Sequence, residues 1–315
     1  MKLELAREVL ACLPKGRTLY HYTKDDYAFF LLKKWSEKEN KIHKLKETGA
    51  RKLLDKPAIK PYLASCFNGE IDPNGIPSQQ YTRHGRSYRL SLDIWGEDHR
   101  YWKMNQVSRR GVSLVLQLNL NNQHRTGLSS CMQVGKRNPF RGYGHPVRDG
   151  DYPTLSWCRL DIDLDKREVL IEEIQSDLLR DMRTVFLKAK EEKSEGNSEF
   201  QYCGAKFDTA RFIRFWNAEF LGHEKTWSEA TLSAALWFLI QELGMKTIYY
   251  HTFESGNYLK GISYQCPPKS LYTKLPKQFC FEETKEIPAL LKTEKQWRQR
   301  EKRANHALKF FRLEV

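Results

Sequence analysis

At 315 residues the chain is long for one domain and short for three, and 40% hydrophobic with 12% aromatic residues can fill a core, which excludes global disorder. No apolar run approaches the roughly 18 residues of a membrane span, and Met1-Lys2-Leu3-Glu4 is unlike a secretory signal, so a cytoplasmic location without a membrane partner is expected. The net charge of +14 is uneven: residues 1–60 hold 15 Lys and Arg against 8 Asp and Glu, and residues 285–315 hold 9 against 4. A near-neutral body between basic ends points to a polyanion, a nucleic acid, as partner. Seven cysteines without a C-x-x-C pair argue against a disulfide framework or a zinc ribbon, and no metal site is expected.

In chain order, residues 3–13 carry a helical apolar face ended by Pro14 and Gly16. Tyr20-His21-Tyr22-Thr23 reads as a short strand. A helix over 24–38 follows, then short helices over 41–48, 50–54 and 57–65, laid out like a helix-turn-helix without its specific residues. The stretch 67–77 is a Gly/Pro/Asn-rich loop. Residues 88–94 and 111–120 alternate as strands, and 121–153 read as a long irregular stretch. An alternating run over 155–164, a turn at 165–167 and an apolar run from 169 form a hairpin.

That last run, VLIEEIQSDLL at 169–179, is the chain's organising feature. A buried strand climbs into Glu172-Glu173, and Ser176 or Asp177 caps the helix that follows, over 177–192. Further on, 207–220 reads as helical, Thr226-Trp227-Ser228-Glu229 opens a helix over 229–243 stopped by Gly244, and 247–252 is a strand. Residues 267–281 are expected to be extended with turns, and 293–311 to be a basic helix. The division that follows is a basic helical region over 1–66, an α/β core over 67–284 with a mixed twisted sheet flanked by helices, and a basic C-terminal helix over 285–315.

Open α/β sheets gather their ligands at strand carboxyl ends. Glu172, Glu173, Gln175 and Asp177 lie at one such end, and His251 and Glu254 at another. If the two strands are parallel neighbours, both sets face one crevice, where a carboxylate and a histidine supply general base and acid. Strict alternation lets only one of Glu172 and Glu173 look into it. The alternative is a buried structural network, with the glutamates and His251 satisfied in the core. Arg141-Gly142-Tyr143-Gly144-His145 is basic and glycine-rich but lacks the phosphate-loop residues. Phe212, Arg214, Phe215 and Trp216 suit base stacking or, at helical spacing, a core.

Three family resemblances bear on these residues. Tyr20-His21-Tyr22-Thr23 resembles the histidine-bearing strand of ADP-ribosyltransferases, which implies a role for His21 in holding a nicotinamide ribose, with Glu173 as one candidate for that family's later glutamate. VLIEEIQSDLL, the segment Trp227 to Thr252 and LYTKLP at 271–276 together resemble the EIQSD-type module of large polyvalent proteins of phages and conjugative elements, over about residues 110–280. The element order is also similar to the second half of GNAT-type acyltransferases, which implies a coenzyme A site at the helix start and a proton-donating tyrosine at Tyr272. Gln175 matches the first position of that family's phosphate loop, while Ser176-Asp177-Leu178-Leu179 replaces its glycines, and Asp177 would repel a phosphate.

The expectation is a nucleic-acid-associated, transferase-like enzyme of the mobile-element or phage-conflict world. Glu172, Glu173, His251 and Tyr272 are its acid/base candidates, and Gln175, Asp177, Glu254, Trp227, Arg141 and His21 its substrate contacts. The alternatives are a non-catalytic DNA- or RNA-binding protein and an ADP-ribosyltransferase. No cofactor and no oligomeric state can be read from the residues.

Overall fold

A computed structural model describes the chain except for residues 13–17, 78–84, 97–105, 135–138, 141–144, 149–151, 265, 295–296 and 305–306. Eleven strands are named along the described chain. These are β1 (Thr18–Tyr22), β2 (Arg86–Trp95), β3 (Ser113–Asn119), β4 (Met132–Val134), β5 (Thr154–Asp163) and β6 (Glu168–Gln175), then β7 (Glu199–Tyr202), β8 (Ala205–Asp208), β9 (Thr247–His251), β10 (Glu282–Thr284) and β11 (Phe310–Glu314). Eight of them form a mixed sheet in the order β1-β2-β3-β5-β6-β9-β11-β10, and β4-β8-β7 form a small second sheet. The β5–β6 hairpin turns at Arg167, whose φ is +51°.

Strand β6 runs parallel to β9, as the crossover through the intervening helices requires. This puts the carboxyl ends of β6 and β9 side by side. Segments 1–66, 67–284 and 285–315 all send strands into the one sheet.

The two faces of the sheet differ in kind. Leu114, Leu116, Leu118, Cys158, Leu160, Val169, Ile171 and Ile248 enter the main core, against helices Asp177–Ser194 and Leu221–Trp237. Ala230, Leu232, Ala234, Ala235 and Leu236 are all buried, so the second half of Leu221–Trp237 is covered on every side rather than along one stripe. The opposite face carries Gln117 and Asn119 of β3, Arg159 and Asp161 of β5, and His251 of β9, all buried. The chain's C-terminal part covers this polar face. Leu290, Leu291, Trp297 and Leu308 form a small second core with Leu170, Tyr249, Leu259 and Phe310. Arg109 bonds Asp161 Oδ1 at 2.7 Å and Leu290 O at 3.0 Å, tying cover to sheet.

Four sequence expectations change. Residues 121–153 are not irregular throughout: they hold helix Asn122–Cys131, capped by Asn121, and strand Met132–Val134. The tail is not one helix over 293–311: helix Trp297–Arg303 is short, and Phe310–Glu314 is a strand whose Phe311 and Leu313 enter the main core. The segment Thr226 to Glu229 does not open a helix but lies inside Leu221–Trp237, which follows helix Thr209–Phe215 and the π-turn Trp216–Phe220 without a break. Residues 269–278 are helical rather than extended, as Lys269–Tyr272 and Lys274–Gln278. Pro276 is tolerated because it lies in that helix's first turn, where its missing N–H costs nothing. Among the described residues, no helix is long and apolar enough to cross a membrane.

Candidate functional site

The site begins with an irregularity in β6. Arg159 pairs with Glu173 but Leu160 pairs with Ile171, so Glu172 is an extra residue, a β-bulge. Its effect shows in the flanking side chains: Ile171 and Ile174, three apart, both enter the main core. Strict alternation forbids that. The bulge absorbs the odd residue and turns both Glu172 and Glu173 onto the polar face, correcting the expectation that only one could serve it.

Beneath the cover, the four acid/base candidates do converge. Glu172 accepts bonds from the Ser108 N–H at 3.1 Å, the Ser108 hydroxyl at 2.8 Å and His251 Nε2 at 3.1 Å. Ser108 Oγ also lies 2.8 Å from His251 Nε2. Lys260 Nζ donates to Glu172 O at 3.1 Å and to the Tyr272 hydroxyl at 3.2 Å. Glu173 pairs with Arg159, which also donates to Gln106 O at 2.9 Å. Ser108, Arg159 and Lys260 complete this network without having stood out in the sequence.

Serine, histidine and glutamate together invite comparison with a nucleophile relay, but the geometry differs. A relay uses both ring nitrogens, one toward the hydroxyl and one toward the carboxylate. Here hydroxyl and carboxylate meet at the same Nε2, and Nδ1 has no hydrogen-bond partner among the described residues. Ser108, Glu172 and His251 are 0%, 1% and 0% exposed. Burial drives the His251 imidazole toward its neutral form, which donates Nε2–H. Burial pushes the Glu172 carboxyl up, but the bond from His251 and the charges of Lys260 and Arg159 outweigh it and hold the group ionised. Apart from His251 Nδ1, the cluster is a closed hydrogen-bonded lock between sheet and cover.

Chemistry accessible to solvent lies at the end of β6. Ser176 caps helix Asp177–Ser194 by accepting Leu179 N–H at 3.3 Å, which places Asp177 in the first helical turn. The Asp177 carboxylate is 3% exposed and accepts four donors. His145 Nδ1 lies at 2.8 Å, Trp157 Nε1 at 2.9 Å and Arg180 Nη2 at 3.0 Å, and the Gln175 amide is the fourth. Burial raises the Asp177 carboxyl, yet bonds from His145 and Trp157, together with the Arg180 charge, hold it below the ordinary carboxylate range. An ionised carboxylate only accepts, so Nδ1 of His145 carries the hydrogen and Nε2 of the neutral ring keeps its lone pair.

The His145 ring is 37% exposed and packs edge-on against Trp157, with centroids 5.8 Å apart, and near Trp95 at 6.4 Å. Behind it, the Arg159 guanidinium lies 5.4 Å and 5.7 Å from the Trp95 and Trp157 rings. The chain beside His145 is pinned to the sheet: Gln117 Nε2 donates to Pro146 O at 2.8 Å, and Arg148 Nε donates to Gln117 Oε1 at 2.9 Å.

The remaining candidates are dispersed. Glu254 is exposed in the first turn of helix Phe253–Lys260, which Thr252 caps. Trp227 is half-buried against the main core. His21 sits on β1, bonded to Ser87 Oγ at 3.1 Å and four strand steps from β6, roughly 19 Å at the usual strand spacing. His21 and Glu173 therefore do not share a site. Arg141 and its glycine-rich stretch, 141–144, lie outside the described residues. Among the described residues no group of three or more His, Cys, Asp or Glu could hold a metal ion. Comparison of the chain with protein-family models, with curated proteins and with solved structures finds no match in any of the three.

Proposed function

We propose that the protein is a transferase-like enzyme acting on a nucleic acid or a nucleic-acid-bound substrate, with His145 as general base at the carboxyl end of β6. The observation that carries the reading is the exposed His145 ring oriented by the buried Asp177 carboxylate at 2.8 Å. In that tautomer Nε2 takes a proton from an acceptor hydroxyl or amine as the transferred group arrives, and Asp177 stabilises the imidazolium that forms. The Gln175 amide and Arg180 stand beside it to orient the acceptor, and Trp95 and Trp157 wall the site. Glu172, Glu173, His251 and Tyr272 support it from beneath by fixing the bulge and the cover.

A polyanionic acceptor fits the surface charge. Lys41, Lys44, Lys46, Arg51, Lys52 and Lys60 are exposed on and around the short helices Ile42–Leu45, Arg51–Leu54 and Lys60–Ala64. The same basic surface favours the second reading, a DNA- or RNA-binding protein without catalysis. Incubating oligonucleotides with the protein and a panel of group donors, acyl-coenzyme A and NAD among them, and reading their masses separates the two. The proposal expects a mass increase that His145→Ala abolishes. Tight binding with no product from any donor supports the binding reading instead.

A further inference from the structure

A separate cleft of about 480 Å³ opens where β2 meets the helices, lined by Arg86, Ser87, Asn121, His124, Glu219 and His223 with Gly85 and Ala218. The Nε2 atoms of His124 and His223 face each other across 3.1 Å. The other nitrogen of each ring is fixed: His124 Nδ1 lies 2.7 Å from Asn121 Oδ1, and His223 Nδ1 lies 3.0 Å from the Tyr88 hydroxyl. The amide oxygen only accepts, so neutral His124 carries its hydrogen on Nδ1 and receives the His223 Nε2–H. Tyr88 then donates to His223. Of the two ring hydrogens, one stands between the two Nε2 atoms and the other is held by Asn121.

Arg86 stands beside this pair. Among the described residues no carboxylate lies within ion-pair distance of its guanidinium, which rests against the backbone of Gly222. A Cβ at Gly222 would sit 1.6 Å from Arg86 Nη2, so the tip of the arginine occupies space that a side chain at 222 would contest. Burial, then the neighbouring His124 and the Arg86 charge, push His223 down to about 3, and burial with Arg86 lowers His124 as well. The cleft thus holds a cation without a directly paired carboxylate among the described residues and two neutral imidazoles whose protonated form a nearby negative charge favours. Its one carboxylate, Glu219, is half exposed and 3.8 Å from His124 Nε2. Two convergent imidazoles are also two metal ligands, but a third is not assembled among the described residues and Arg86 repels a cation.

We infer that this cleft binds a terminal phosphate group. Arg86 supplies charge-assisted hydrogen bonds from the cleft wall, and the two imidazoles beside it become donors when an anion draws the His124–His223 contact apart. The group is a phosphomonoester or free phosphate, and the source is the 5′ end of a nucleic acid, a nucleotide or the inorganic ion. The site shares no residue with the His145 rim, so each stands or falls alone.

The test is titration calorimetry on the full chain with inorganic phosphate, a 5′-phosphorylated tetranucleotide and the same tetranucleotide without its phosphate. ³¹P line broadening of inorganic phosphate by the unmodified protein provides a readout that needs no variant. The phosphorylated ligand is expected to bind at least tenfold tighter than its unphosphorylated twin, and Arg86→Gln and His124→Gln each to weaken it about tenfold or more. Tighter binding of the oligonucleotide than of phosphate marks a nucleic-acid end, and equal binding marks a free phosphoryl ligand. Equal affinity for the two tetranucleotides, no broadening with affinity weaker than about 10 mM, or a zinc site lost in His124→Gln while phosphate does not bind, would overturn the inference.

Discussion

Asp177 accepts the Nδ1 hydrogen of His145 at 2.8 Å, with the carboxylate buried and the imidazole open to solvent. The pairing joins the first turn of helix Asp177–Ser194 to a segment 32 residues earlier in the chain, and the Trp157 indole locks the carboxylate from a third side.

Removing that carboxylate has a structural consequence as well as a chemical one. Asp177→Ala leaves the Trp157 Nε1–H buried without its acceptor, and a loss of about 1–3 kcal/mol is expected in urea unfolding. The pH dependence follows from the lowered carboxyl of the folded state. The unfolded chain binds the proton first, so the contribution is present above the ordinary aspartate value of about 3.9 and lost as pH falls through the lower folded one. Asp177→Asn is expected to flatten the acid limb of the stability curve. An unchanged limb would mean that Asp177 is not held ionised by this constellation.

The Arg159–Glu173 pair, both partners nearly buried, gives a double-mutant test. Arg159→Met alone strands a buried carboxylate, and Glu173→Met alone strands a guanidinium. Each is expected to cost about 3–5 kcal/mol, whereas the double substitution costs clearly less than either. Additive losses in denaturant unfolding would show that the two charges are not coupled.

Asp26 behaves in the opposite sense. Burial, with help from Glu229 and Asp25 and against bonds from Thr23, raises its carboxyl to about 6. The native state therefore binds a proton that the unfolded chain has released, and stability falls as pH rises from about 4 to about 6, then stays level. Asp26→Asn removes that penalty while leaving an oxygen for the Thr23 N–H. A gain of roughly 1–2 kcal/mol at neutral pH, shrinking toward pH 4, is expected after solvent screening is allowed for. Thermal unfolding at the two pH values reads it, and an equal shift at both would contradict it.

Binding to nucleic acid, if it uses the exposed lysines and arginines of the short helices, weakens steeply with salt. Replacing Lys44, Lys46, Arg51 and Lys52 by glutamine is expected to lower the slope of log affinity against log salt by up to about 4, in fluorescence anisotropy with DNA and RNA. A slope equal to that of the unmodified protein would place the interface elsewhere.

What the residues revealed on their own divides along physical lines. The hairpin into β6, the cap at Ser176 and the parallel return at β9 were legible because alternation, turn residues and capping chemistry are local. The bulge at Glu172 was not, since it exists only in the register against β5. The start of helix Leu221–Trp237 was hidden because its first two turns are polar and half-buried, with Lys225 exposed, and the π-turn before it shifts its phase. Strand β11 was masked by Lys309 and Arg312, whose charges read as part of a basic helix but pair with Glu283 and Glu286 across the sheet edge. His145 was legible only as the end of the glycine-rich stretch Arg141 to His145, because nothing local marks a histidine whose partner is Asp177. Its only other sequence signal is the neighbouring Pro146, which holds the chain extended beside it.

The central claim is that His145 acts as general base under the control of Asp177. Its most direct measurement is the single-turnover rate of group transfer to an oligonucleotide, followed by mass, for the unmodified protein, His145→Gln and Asp177→Asn, with the exposed His43→Gln as control. The account predicts losses of about 10²–10⁴-fold in the first two variants, with folded circular dichroism spectra and unchanged oligonucleotide binding, and no loss in the control. Transfer that proceeds at the unmodified rate in His145→Gln would contradict it.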